Sequence, residues 1–278
     1  MRFAEVIGDP VAQSRSPEIH KYWLNMLDLS GDYRKTRVER GSLAAFLEQR
    51  RSNEDWLGCN VTIPYKEEAA SLVEWLEPRA RAIGAVNCIV PRQSSLAGYN
   101  SDVDGIEAAL GSAEIRGRPV VVIGCGGAAR AAVAYLAEKG AAGIRLLVRD
   151  RARAEPLLPL AGRSGLEFHP FSDARQVFDG ASVIINATPL GMAGARAMPA
   201  NILEAIGRQS SATTLFDMVT TPALTPLLDA GRSAGAQCVD GLTMLVGQAA
   251  RAFELFYGHP APPPDQNLRN MLAVQSAD

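Results

Sequence analysis

No stretch of this 278-residue chain approaches the roughly 18 consecutive apolar residues of a membrane span, so no membrane partner is expected. Cysteine is scarce. The four present (Cys59, Cys88, Cys125 and Cys238) stand far apart with no CxxC pair, which argues against a disulfide framework and for a reducing cytoplasm. Histidine is scarcer still, and His20, His169 and His259 have no metal-ligand spacing, so no metal site is expected. The chain lacks charge of one sign. Its net charge is −2 with both signs interspersed, which excludes a basic nucleic-acid-binding surface and an acidic disordered tail. Met1 leads almost at once into Val6-Ile7-Gly8, with no charged-then-apolar leader, so no secretory signal is expected. Internal repeats and low-complexity segments are absent.

What the chain does have is apolar content. At 47% hydrophobic, it can bury a sizeable core, and its length suits two domains better than one. Strand-like and helix-like patterns alternate along it, which predicts an α/β protein with largely parallel strands. Strands are expected at residues 3–7, 33–38, 57–63 and 85–90, with helices at 16–27 and 42–50, after Lys66 to about Leu76, and at 103–110. A new series opens at Pro119. Val120-Val121-Val122-Ile123 reads as a strand buried on both faces, followed by a helix over 128–139 and strands at 144–148, 181–186 and 214–218. Residues 241–256 read as a helix, with a proline-rich wrap and a last short helix beyond. The domains are therefore placed at 1–103 plus 241–278, and at 104–240.

Gly124-Cys125-Gly126-Gly127-Ala128-Ala129-Arg130 lies between a strand and a helix. Glycines there allow a tight turn and close approach of a pyrophosphate, and the helix N-terminus offers unpaired N–H groups and positive partial charge. That context points to a dinucleotide site, the other reading being a tight turn with close packing. Around the end of the second strand of this series the chain reads Val148-Arg149-Asp150-Arg151-Ala152-Arg153. Arginines at that place suit the 2′-phosphate of NADP, whereas a carboxylate suits the ribose 2′-OH of NAD, so NADP is expected with NAD as the alternative. The plane of Arg149 also suits stacking on adenine.

A second group lies in the N-terminal half. Lys66 just past a strand, with Asp102 to orient it, can deliver the proton that a carbonyl needs when it receives a hydride; an arginine would not deprotonate usefully. Ser14 and Ser16 sit near a predicted helix start, with Ser16 read as its N-cap and Pro17 as the first helical residue, and suit a carboxylate, although capping alone accounts for one of them. Asn60, Thr62, Asn87 and Asp102 fall at or just beyond strand ends, where open α/β sheets bind ligands, and match a polyhydroxylated molecule. Gln248 interrupts an apolar helix (Met244, Leu245, Val246, Phe253) and is read either as facing a cleft or as a buried, satisfied amide.

The motifs GDPVAQSRSPEIH (8–20), GCNVTIPYKE (58–67), IGAVN (83–87), GYNSDVDG (98–105), GCGGAAR (124–130), NATPLGM (186–192) and DGLTMLVGQAA (240–250) together closely resemble the shikimate dehydrogenase family, nearly end to end. The resemblance implies a two-domain α/β enzyme. An N-terminal substrate domain with a mixed sheet, completed by the C-terminal helices, would be separated by a cleft from a Rossmann-type cofactor domain. It implies reversible reduction of 3-dehydroshikimate to shikimate with NADPH, on the route to chorismate and aromatic amino acids, by a cytoplasmic monomer or homodimer whose partner is a small molecule. By motif, Ser14 and Ser16 would hold the substrate carboxylate; Thr62, Asn87, Asp102 and Gln248 its hydroxyls and ring; and Lys66 would act as acid/base with Asp102. Gly124, Gly126, Gly127 and Ala128 would meet the pyrophosphate, and Arg149 and Arg153 the 2′-phosphate. Thr188, Met218 and Gly241 would border the nicotinamide.

Four positions depart from the family pattern. Val148-Arg149-Asp150 stands where Asn-Arg-Thr is usual, which loses an amide donor and adds a negative charge. Thr220 stands where a tyrosine usually helps fix the substrate carboxylate. Lys21 stands where asparagine is common. Other readings of the chain are an NAD-dependent quinate/shikimate dehydrogenase of catabolism, a non-catalytic sensor of the same ligands, and folate-linked methylene dehydrogenation on a similar scaffold.

Overall fold

The first strand, β1 (Phe3–Gly8), is buried along its whole length, because it lies between two parallel neighbours. Glu5 is fully buried in that strand, and Arg50 meets its carboxylate at 2.7 Å, as a charge removed from water requires. The computed structural model describes residues 1–274. After β1 come α1 (Ser16–Met26), β2 (Asp32–Arg37), α2 (Leu43–Arg51), β3 (Trp56–Val61), α3 (Lys66–Leu72), β4 (Trp75–Leu76), α4 (Pro78–Ile83), β5 (Cys88–Arg92) and β6 (Ser95–Tyr99). The strands form one sheet in the order β2-β1-β3-β5-β6-β4. β5 runs antiparallel to both β3 and β6, so this sheet is mixed.

A helix, α5 (Asp102–Leu110), leads to the second sheet. Its elements are β7 (Pro119–Ile123), α6 (Gly127–Glu138), β8 (Gly143–Leu147), β9 (Leu166–His169), α7 (Ala174–Val177), β10 (Val183–Asn186), α8 (Ala200–Ile206), β11 (Thr214–Asp217), α9 (Pro226–Ser233) and β12 (Gln237–Val239). All pairings are parallel, in the order β12-β11-β10-β7-β8-β9. This is a Rossmann-type doubly wound sheet, whose strand order reverses between β7 and β10, the place where such sheets bind ligands. Val120 to Ile123 are completely buried, which explains the unbroken β-branched run. α10 (Gly241–Tyr257) and α11 (Gln266–Val274) end the described chain. By internal contacts, Met1–Asp104 with Gln248–Leu272 form one unit, and Gly105–Gly247 form the body of the other.

Three local expectations change. The helix opening at Lys66 stops at Leu72 because Val73 turns extended and Trp75–Leu76 pair with Ala97–Gly98. That pairing was not legible in a segment without alternation, and the strand β6 supplying it has only the short sequence Ser-Leu-Ala-Gly-Tyr. The strand expected from Ala85 begins at Cys88; the residues before it are irregular yet tied down, with Val86 N–H donating to the Lys66 carbonyl and Asn87 N–H to the Tyr99 carbonyl. Ser16 is the first residue of α1 rather than its cap, and Arg15 takes the capping position.

Gly58 has φ of +138°, and a Cβ there would run into the Ile89 carbonyl oxygen and the Phe256 ring. Gly58→Ala should therefore cost about 3 kcal/mol by combining backbone strain with overpacking. A urea melt reads this directly; an unchanged midpoint would mean that β3 relaxes without cost.

Candidate active site

Lys66 and Asp102 each open a helix, α3 and α5. A carboxylate at a helix N-terminus is favoured by the dipole; an ammonium is not, so the Lys66 charge needs a direct partner. It has one, since Lys66 Nζ donates to Asp102 Oδ2 at 2.6 Å, with the side chains 21% and 8% exposed. Asn87 holds the other oxygen, its Nδ2 donating to Asp102 Oδ1 at 2.9 Å, while its own Oδ1 accepts the Ser101 N–H at 2.7 Å. The Asp102 N–H donates to Asn100 Oδ1. Asn100 and Ser101, buried and not singled out by sequence, thus build the turn that aims Asp102. The only advance signal was their place in the polar run Tyr99 to Asp102.

Asn60 is also buried, but its amide is engaged inside the protein. Oδ1 accepts the Tyr33 hydroxyl at 2.5 Å and Nδ2 donates to the Asn87 carbonyl at 3.2 Å. It links the pair to a fully buried aromatic cluster in which the His20 ring stacks on Tyr33 with centroids 4.0 Å apart. Burial pushes the His20 imidazole down to about 3 and the Tyr33 phenol well above its ordinary value, so both stay neutral. Ser14 Oγ accepts the Ser16 N–H at 3.4 Å, and the two hydroxyls are 3.3 Å apart. Arg15 between them turns away from the hydroxyls. Its guanidinium donates to the carbonyls of Leu272 and Met271 at the C-terminal end of α11, where a cation suits the helix dipole. Thr62 lies one residue past β3 and donates its N–H to the Ile7 carbonyl. Gln248 is half-buried on α10.

In the second unit Gly126 caps α6, and Gly124, at φ +108°, packs so tightly that a Cβ would lie 2.6 Å from the Thr188 methyl. A Cβ on Gly126 would meet nothing within 4 Å, so the space over this helix N-terminus, where Gly127 and Ala128 form the first turn, is open to a phosphate group. A cavity of about 540 Å³ joins Gly124 and Gly126 to Arg149, Asp150, Arg153 and Thr188. These groups suit a dinucleotide. Asp150 uses Oδ1 to accept the N–H groups of Ala152 and Arg153, at 3.0 and 3.4 Å, so its carboxylate caps the turn that carries the arginines.

Asp217, missed by sequence reading, organises the other side. It closes β11 fully buried, its Oδ1 accepting from Asn186 Nδ2 at 2.8 Å and the Val219 N–H at 3.0 Å, and its Oδ2 from the Thr225 hydroxyl at 2.6 Å. Asn186 in turn accepts the Thr188 hydroxyl at 2.7 Å. Gly241 sits against the Met218 and Val219 carbonyls, where any side chain would clash. One buried carboxylate thereby fastens the loop bearing Thr188 to the loop bearing Met218. The available signal was an acid closing an apolar strand, Thr214-Leu215-Phe216-Asp217.

Residues 6–89 match the shikimate dehydrogenase substrate binding domain, 107–223 the shikimate/quinate 5-dehydrogenase domain, and 241–265 the shikimate 5′-dehydrogenase C-terminal domain. The NADP(+) shikimate dehydrogenase of Sphingopyxis alaskensis is 41% identical over 276 residues, covering 98% of this chain and 97% of that one. Among solved structures, shikimate 5-dehydrogenase of Thermus thermophilus in complex with NADP(H) and shikimate aligns with TM-score 0.82 and 31% identity, covering 99% of this chain and all of that one (100%). Quinate dehydrogenase of Corynebacterium glutamicum in complex with NAD aligns with TM-score 0.85 and 27% identity, covering 99% and 98%.

Burial raises the Asp217 carboxyl above its ordinary 3.8, opposed by hydrogen bonds from Thr225, Val219 and Asn186. A raised carboxyl binds its proton more tightly in the folded state, so it favours folding below pH 3.8 and that advantage is lost as pH rises through the folded value. Asp217→Asn keeps the Oδ1 acceptor and removes the titration. The stability of the unsubstituted protein relative to this variant should fall as pH climbs above 3.8, measured by urea unfolding across that range; a constant difference would contradict the raised value.

Proposed function

The chain belongs to the shikimate dehydrogenase family, and we propose that it catalyses the reversible NADPH-dependent reduction of 3-dehydroshikimate to shikimate in aromatic amino acid biosynthesis. The observation that carries this reading is the 2.6 Å contact of Lys66 with Asp102, backed by Asn87, on a scaffold that matches the family throughout. In the reducing direction the Lys66 ammonium gives a proton to the oxygen of the carbonyl as it becomes a hydroxyl; in the oxidising direction the neutral amine takes it back. Asp102 holds Nζ in place, and Asn87 keeps the carboxylate from rotating. Ser14 and Ser16 receive the substrate carboxylate. Thr62, Asn87, Asp102 and Gln248 position its hydroxyls and ring, while Asn60 supports them from beneath through its buried hydrogen bonds.

Gly124, Gly126, Gly127 and Ala128 hold the pyrophosphate, Arg149 and Arg153 the 2′-phosphate, and Thr188, Met218 and Gly241 the nicotinamide end. When bound, the cofactor supplies or accepts the hydride at nicotinamide C4. The engagement of Asp150 with two backbone N–H groups favours NADP over the NAD-dependent quinate reading, because one oxygen of its carboxylate is occupied by the turn. No helix among the described residues is long and apolar enough to cross a membrane. A cytoplasmic site of action follows from the pathway.

Purified protein assayed with shikimate and quinate, each against NADP and NAD, should turn over shikimate with NADP fastest. Comparable rates with quinate and NAD would move the reading to catabolism. Lys66→Ala should lower kcat by roughly 10²–10⁴ with KM less affected, the usual contribution of a positioned acid/base; an unaltered kcat would remove Lys66 from proton transfer. Replacing Ser14 and Ser16 by alanine should raise the KM for shikimate, and an effect confined to kcat would count against carboxylate binding.

A further inference from the structure

The cavity holding the dinucleotide loop is lined by three arginines, not two. Arg196 joins Arg149 and Arg153, although it lies over forty residues further on, between β10 and α8, and in none of the seven motifs. Its loop is exposed yet strongly determined. The Gly191 N–H donates to the Arg196 carbonyl at 2.9 Å and closes the loop on itself, the Ala195 N–H donates to the Met192 carbonyl at 3.0 Å, and the Ala193 N–H pins it to the Thr221 carbonyl at 2.9 Å. Gly191 and Gly194 supply the left-handed backbone that so tight a loop requires, at φ +84° and +74°.

The charges of this cavity do not cancel. Arg151, between the two expected arginines, points elsewhere, lying 3.9 Å from Glu155 and over the Phe168 ring. Arg149, Arg153 and Arg196 form no ion pair among the described residues. Asp150 is the one carboxylate lining the cavity among the described residues. Three cations against one anion leave a surplus of two positive charges, which suits a phosphate-bearing ligand.

We infer that Arg196 is a cofactor-selectivity residue, contributing its guanidinium to the 2′-phosphate of NADP alongside Arg149 and Arg153. The inference rests on the proposed NADP-dependent activity and adds a residue to it. Guanidinium matches phosphate through charge-assisted, bidentate hydrogen bonds, and it discriminates between cofactors because NAD has only a hydroxyl at that place.

Titration calorimetry of the full chain and of Arg196→Gln with NADP, NAD, 2′,5′-ADP and 5′-ADP tests it. The variant should bind NADP and 2′,5′-ADP roughly ten-fold more weakly, as expected for one lost charge-assisted contact, with NAD and 5′-ADP changed less than about two-fold. The NADP loss should shrink as salt is raised, because the contact is partly exposed. Arg196→Lys should recover part of the affinity, keeping the charge but not the fork. Equal losses for NADP and NAD would overturn the inference and place Arg196 on the shared adenine or pyrophosphate, and no loss at all would overturn it outright. If the unsubstituted chain bound neither dinucleotide, the functional reading itself would fail, an outcome distinct from either of these.

Discussion

The proposed active site of this molecule depends on one contact, between Lys66 Nζ and Asp102 Oδ2. As a source of stability it is weak, since moving two charges out of water costs about what their attraction returns. Its value is chemical. In the proposed reaction the lysine gains and loses a proton, and it needs a partner that fixes its position. Asp102 can do this because Asn87 and the Asn100–Ser101 turn hold the carboxylate from behind. The support continues outward through Asn60 to Tyr33 and the buried His20. A lysine and an aspartate 36 residues apart in sequence thus share one geometry through a polar chain that runs into an aromatic core.

The cofactor half uses the same device with different chemistry. Asp217 is buried and ionisable, surrounded by donors from Asn186, Val219 and Thr225, and it fixes two loops at the carboxyl ends of β10 and β11. Low surrounding polarity makes each of those hydrogen bonds stronger and makes leaving any of them unmade more costly. Around the dinucleotide loop the logic is reversed. Arg149, Arg153 and Arg196 are left without anionic partners among the described residues, in a cavity open to solvent, where their charges await a ligand instead of bracing the fold.

Much of this was legible in the chain. The β-branched run Val120–Ile123 followed by Gly124-Cys125-Gly126-Gly127 announces a buried strand, a tight turn and a helix start, because each depends on local backbone and side-chain properties. Lys66, Asp102, Ser14 and Ser16 could be singled out for the same reason: their residue types and strand-end positions limit what they can do. Less legible were Trp75–Leu76, which form a strand by pairing with Ala97–Gly98, and Ser95–Tyr99, which form one chiefly by pairing with Cys88–Arg92. Asn60 reads like a ligand in sequence, and its engagement with Tyr33 and Asn87 appears only on folding.

The sequence by itself determined the two-part α/β organisation and the strand–turn–helix around Gly124, which rest on periodicity and glycine conformation, and its seven motifs carried the family resemblance; it singled out Lys66 and Asp102 by residue type, while their meeting in space waited for the fold. Tertiary structure decided that Asp217 joins two loops and that Arg196 lines the same cavity as Arg149 and Arg153. Each of those depends on where segments distant in sequence come to lie, and hydrogen bonds and electrostatic fields act through space rather than along the backbone.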